Sequence, residues 1–192
     1  GCVSTKPGFK DVTQEEEFKR LNFFLDNYDG AFRLSIDTMN KVIAKHALDN
    51  NFEILNDVSG FRDPGMIELA VERSSKIILV HSHPNASHIQ EKMEFKDVVQ
   101  EVKAQLEIKI NYLISKGIKE WQISIDPGLG FGKTMRDSEI LFKNLDVFCF
   151  DFPLVVGYSK KKFTENLNMT NNQLYQHCID SGAALVRLHI AS

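Results

Sequence analysis

Asp126-Pro127-Gly128-Leu129-Gly130-Phe131-Gly132-Lys133 follows directly on the apolar run Trp121-Gln122-Ile123-Ser124-Ile125. An acid closing a buried strand, then a loop with three glycines, then a lysine, is a way to present charge to a small ligand. Glycines take positive φ and let a backbone approach closely. A carboxylate at the carboxyl end of a parallel strand stands where α/β proteins keep their ligand sites. The spacing is not that of a phosphate-binding P-loop, which needs Gly, four residues and Gly-Lys-Ser/Thr. Here Gly128 is followed by Gly130 and by Gly132-Lys133-Thr134.

On either side of this stretch, strand and helix patterns alternate. Apolar runs at 32–36, 52–55, 76–80, 121–125, 152–156 and 184–188 are nearly continuous, as in strands buried on both faces. Helical spacing predicts helices over 15–25, 39–49, 64–72, 95–115, 137–144 and 170–181. Thr13 and Glu16 form a capping-box pair before the first. Val98, Val99, Val102, Leu106, Ile110 and Leu113 make one apolar stripe on the longest, which Gly117 ends, and Gly182 closes the last. This alternation predicts a parallel sheet with helices outside it. No linker, repeat or low-complexity tract interrupts it, so residues 1–192 read as one domain.

Polar residues close nearly every strand: Asp37, Asn56 with Asp57, His81, Asp126, Ser159 with Lys161, and Arg187 with His189. In a (β/α)8 TIM barrel all strand ends converge on one mouth and these residues make one site. In an open sheet they would be spread along an edge. The barrel is the expectation, with six of its strands present. Gly1-Cys2-Val3-Ser4 reads as a loop without its strand, and Ala191-Ser192 follows a strand without its helix. The 192 residues are therefore expected to be part of a longer barrel and inactive by themselves.

A chain of this length with 43% hydrophobic and 26% charged residues suits one globular core. The net charge of -3 gives no nucleic-acid surface, and three lysines at 160–162 are too few to make one. No apolar run approaches the ~20 residues of a membrane helix. Cys2, Cys149 and Cys178 fit neither a disulfide framework nor a zinc site, which leads us to expect a reducing cytoplasm. His81 and His83, with His88 beyond, lack further ligands at a zinc spacing.

Six motifs carry a family resemblance. Besides residues 126–133 they are Ser4-Thr5-Lys6-Pro7-Gly8, Ser35-Ile36-Asp37-Thr38, Leu55-Asn56-Asp57-Val58-Ser59-Gly60, Val156-Gly157-Tyr158-Ser159-Lys160-Lys161 and Val186-Arg187-Leu188-His189. In this order, and over the whole chain, they resemble strands 3 to 8 of the dihydropteroate synthases and the loop before them. The resemblance implies a transferase of folate biosynthesis. The amine of 4-aminobenzoate would displace diphosphate from 6-hydroxymethyl-7,8-dihydropterin diphosphate, giving 7,8-dihydropteroate. It also implies Mg2+, with its protein ligand in the family's first loop and no metal ligand within this chain, and a homodimer inhibited by sulfonamides.

Under that resemblance Asp126, Asp37 and Lys161 are the catalytic candidates. Asp126 accepts paired N–H bonds from the pterin edge, Asn56 donates and accepts along it, and Asp37 reaches a further ring N–H. The same residue types also cap helices and turns. Lys161 would bridge the pterin carbonyl and the leaving group, with Gly157 lining the pterin, although most lysines are simply solvated. Arg187 and His189 alternate with apolar residues and so share one face. They suit a diphosphate, with Thr5, or a salt bridge at the rim. Thr5, Lys6, Pro7 and Ser159 would place 4-aminobenzoate. Phe131 packs on an aromatic ring or only within its loop.

Four departures from the family pattern stand out. Lys6 replaces an arginine and loses its planar fork, Lys160 replaces another, Ile190 replaces an aspartate, and Ser82-His83-Pro84-Asn85 replaces a glycine-containing loop. Two other readings stay open. A methyltetrahydrofolate-type methyltransferase domain shares the barrel and the Asp/Asn/Asp cradle, but should lack the Ser-Thr-x-Pro-Gly and Ser-x-Lys motifs. A non-catalytic pterin-binding homologue is allowed by Lys6 and Ile190.

Overall fold

The helices begin where side chains satisfy their first free N–H groups, and the sequence supplies those caps. The computed structural model describes residues 12–83 and 93–189. Thr5, Lys6, Pro7, His88 and Ile190 lie outside them. Thr13 Oγ1 accepts from Glu16 N at the start of α1 (Gln14–Asp26), and Asn40 Oδ1 from Val42 N at the start of α2 (Lys41–Asp49). Asp63 caps α3 (Pro64–Glu72) and Asp97 caps α4 (Val98–Ser115). Capping boxes open α5 (Met135–Lys143), from Thr134 and Asp137, and α6 (Asn171–Asp180), from Thr170 and Gln173. Each such cap contributes about 1 kcal/mol.

The strands are β1 (Leu34–Asp37), β2 (Phe52–Asp57), β3 (Lys76–Val80), β4 (Ile123–Asp126), β5 (Val155–Val156) and β6 (Leu185–Val186). β1 to β4 pair in sequence order, all parallel. A parallel bridge from Ile125 to Leu154 carries the order on towards β5, which pairs with β6. Right-handed crossovers in strict sequence order put every helix on one side of the sheet. The other side is left free of helices, and its two ends are linked by a side-chain contact. Arg187 Nη1, just past β6, lies 2.8 Å from Asp37 Oδ2 at the end of β1. The first and last strands of the six face each other across the concave side.

Alternation along the strands divides the side chains between two cores. Ile36, Leu55, Ile77, Leu79, Ile123, Ile125 and Val156 pack outward against the helices, with Leu106, Leu113 and Phe142 among their partners. Val58, Ile78, Val80, Phe131 and Val155 form a smaller cluster on the concave side, with Met39 and Ile54 against it. Among the described residues, no helix is long and apolar enough to cross a membrane.

Four strands, β1, β4, β5 and β6, start later than the sequence expectation. Residues 120–122 form a 3-10 turn rather than the start of β4, and Trp121 is 61% exposed. Gln122 is the reason. It is buried, its Nε2 donates to Ala70 O and Ser75 O, and its Oε1 accepts from Lys119 N. A core glutamine with its bonds made fixes a turn here. Phe32 lies before β1 and is also exposed.

Beyond β4 the chain folds back over the end of β3, and only glycine fits the crossing. Gly128 has φ +68°, and a Cβ there would sit 1.8 Å from the His81 carbonyl oxygen. Gly30 has φ +83° but nothing within 4 Å. Gly30→Ala is therefore expected to cost about 1 kcal/mol, from the left-handed backbone alone. Gly128→Ala should cost about 3 kcal/mol or more, because the crossing must also open. Urea unfolding of the two variants checks this, and equal costs would contradict it.

Candidate active site

Asp37, Asn56 and Asp126 end β1, β2 and β4, and alternation turns all three to the concave side. Asp37 pairs in register with Asn56, and Asp126 with Val80. Asp126 is buried, and its Oδ1 accepts from Gly128 N at 2.7 Å, which fixes the carboxylate and shapes the loop together. Asn56 is 5% exposed. Its side chain lies beside Asp37, its register partner, and its Oδ1 has no hydrogen-bond partner among the described residues. A buried acceptor left unpaired costs about 1–3 kcal/mol, so this oxygen can accept one more N–H. Burial pushes Asp37 above its ordinary value, and the Arg187 guanidinium and Asn56 pull it back.

Asp57, the last residue of β2, and His81, the first after β3, point the other way. Asp57 is fully buried, and its Oδ1 accepts from Ser59 N at 2.7 Å. His81 Nε2 lies 2.9 Å from Gln105 Oε1 on α4. Burial, and then the Lys133 charge, push this imidazole down to about 3. Among the described residues no group of three or more His, Cys, Asp or Glu stands together to hold a metal ion.

The lysine of the glycine loop is not the charge offered to a ligand. Lys133 is buried, and its Nζ lies 2.8 Å from His81 Nδ1 and bonds the carbonyls of Gly128 (3.0 Å), Phe131 (3.1 Å) and His81 (3.2 Å). Lys161 lies on the other side of the loop. Its Nζ donates to Leu129 O and lies 4.8 Å over the Phe131 ring, a cation–π contact. Burial pushes Lys161 down to about 8, while Asp126 pulls it back up. Phe131 thus belongs to the concave cluster and floors the ammonium.

The structure places Arg187 on Asp37, as the rim-bridge reading had it. A Cβ at Gly157 would lie 3.3 Å from Arg187 Nε, so the guanidinium runs over bare backbone. His189 is exposed, and its backbone N–H donates to Ser159 Oγ at 3.2 Å. Burial and the charges of Lys160 and Arg187 push its imidazole down. Ser159 is thereby tied to the strand beside it. Gln105 escaped the sequence reading, although a polar residue between Val102 and Leu106, on the edge of an apolar helix stripe, was a signal.

The described site brings two carboxylates, an amide and two cations together at the carboxyl ends of the strands. Known proteins share this fold. The pattern of the pterin binding enzyme family matches residues 1–189. The probable bifunctional folylpolyglutamate synthase/dihydropteroate synthase of Haloferax volcanii is 31% identical, over 98% of this chain and 24% of its own length. Dihydropteroate synthase of Haemophilus influenzae is 29% identical, over 84% of this chain and 60% of its own length. The chain thus spans less than two thirds of either. The crystal structure of Burkholderia cenocepacia dihydropteroate synthase complexed with 7,8-dihydropteroate superposes with a TM-score of 0.86 at 28% identity, covering 98% of this chain and 74% of that one. The six parallel strands are the wall of a TIM barrel, as the sequence led us to expect, and the chain belongs to the pterin-binding enzyme family.

Proposed function

We propose that this chain carries most of the active site of a dihydropteroate synthase. Its substrates are 6-hydroxymethyl-7,8-dihydropterin diphosphate and 4-aminobenzoate. The observation that carries the reading is the unpartnered Asn56 Oδ1, buried beside Asp37 on the face that also holds Asp126. A pterin ring edge presents neighbouring N–H donors, and two carboxylates and an amide oxygen match them. The relative complexed with 7,8-dihydropteroate supports the same ligand class.

The chemistry is electrostatic. The aminobenzoate nitrogen uses its lone pair to form the C–N bond to the pterin methylene while the C–O bond to diphosphate breaks. The amine proton leaves afterwards. Asp126 and Asp37 stabilise the pterin as it becomes electron-poor, and Lys161 and Arg187 stabilise the negative charge gathering on the departing oxygen. Arg187 is held by Asp37, so a pterin that takes Asp37 loosens the guanidinium for the leaving group. His189, with Thr5, belongs with the diphosphate, and Thr5, Lys6, Pro7 and Ser159 with the aminobenzoate. Mg2+ fits a diphosphate substrate, but the described residues offer no ligand cluster for it, so no step above depends on it. A cytoplasmic homodimer, with sulfonamides competing at the aminobenzoate position, completes the proposal.

In the full-length protein, product formation from the two substrates tests the reading directly, and its absence would sink it. Asn56→Leu separates binding from folding. It removes the orphan oxygen but also the amide beside Asp37, so unfolding stability should change by no more than about 1 kcal/mol, while pterin affinity in calorimetry should fall at least ~30-fold, or about 2 kcal/mol. Equal affinity would remove Asn56 from the site. The pH profile has a definite sign. Lys161 acts as a cation and its proton is lost near pH 8, so kcat/KM should fall as pH rises through that value. In Lys161→Arg this limb should move to higher pH. A limb that stays in place belongs to another group.

A further inference from the structure

We propose that Lys133 is a positioning residue, a built-in cation that sets the Asp126-to-Lys133 loop and so aims Asp126 and Phe131 without touching a ligand. This rests on the proposed pterin reading of the site. The loop turns back on itself at Gly128, Gly130 and Gly132, all at positive φ. That path brings the carbonyls of Gly128 and Phe131 towards one point, where the carbonyl of His81 also arrives from β3. Three converging peptide oxygens repel one another unless donors stand between them. An ammonium supplies three N–H groups from one atom, shared here among these oxygens and the His81 ring nitrogen, and Lys133 places it there only 6% exposed.

The fourth neighbour fixes the direction of the relay. Gln105 Oε1 can only accept, so His81 Nε2 carries the ring proton, and Nδ1 is left to accept from Lys133. A helix side chain thus sets a histidine, which sets a lysine, which sets the loop. The loop acts on the site at three atoms. Gly128 N–H holds Asp126 Oδ1 at 2.7 Å, Leu129 O holds Lys161 Nζ, and Phe131 presents its ring under the same ammonium. The loop backbone is therefore held between two lysines. One is sealed inside it, and the other is turned to the substrate.

The test uses the full-length protein and three readouts. In Lys133→Ala, affinity for the pterin diphosphate should fall at least tenfold. n-Propylammonium, which replaces the deleted atoms, should recover at least threefold of it, and 1-propanol should not. Binding within twofold of wild type, or equal recovery by the alcohol, overturns the proposal. Gln105→Met leaves Lys133 in place and keeps the test usable if Lys133→Ala does not fold. It should speed amide hydrogen exchange at Gly128 and Phe131 at least tenfold, and unchanged exchange there also overturns the proposal. Exchange is read without ligand, so a wild-type protein that fails to bind the pterin overturns the proposed function instead.

Discussion

A single buried ammonium organises the carboxyl end of this sheet. Lys133 Nζ meets three carbonyl oxygens and the His81 ring, and through them it joins β3, the glycine loop after β4 and, by way of Gln105, the long helix α4. Burying a lysine is costly, and the cost shows in its value, pushed down to about 7 by burial against the pull of Asp126. It is tolerated because every N–H finds an acceptor. The crossing that Gly128 makes over the His81 carbonyl depends on the same meeting of chains. With the loop held there, Asp126 has one orientation.

The concave face then balances its charges. Asp37 and Asp126 face Lys161 and Arg187, and the Asp37–Arg187 bond at 2.8 Å joins the two ends of the six-strand wall. This pair is partly exposed, with 37% and 25% of the two side chains accessible, so it can be rearranged by a ligand at small cost. The Asn56 oxygen beside it has no hydrogen-bond partner among the described residues. Asp57 Oδ2 and Ser75 Oγ are also buried without a hydrogen-bond partner among the described residues, but of these three oxygens only that of Asn56 lies on the concave face.

Much of this was legible beforehand for definite reasons. The helix starts were visible because capping residues act locally: Thr13, Asp63, Thr134 and Thr170 each bond an N–H two or three residues on. The strand positions were visible because runs buried on both faces are apolar throughout. The 120–122 turn was not, because Gln122 finds its partners at Ala70 and Ser75, about fifty residues earlier in the chain. Arg187 was ambiguous for the same kind of reason: its partner Asp37 is 150 residues away.

The sequence by itself determined the alternating architecture, the polar closure of each strand and the glycine loop, since each follows from periodicity or from the φ a residue can adopt. Only the tertiary structure decided which of these polar groups face the site. Asn56 and Asp57 are neighbours and equally polar, but the register of β2 turns Asn56 inward and leaves Asp57 under the helices. Lys133 and Lys161 are equally cationic, but the fold spends one on carbonyl oxygens and leaves the other over Phe131. Local patterns carry the period of a chain. The direction of a side chain at a strand end is set by which distant atoms arrive to meet it.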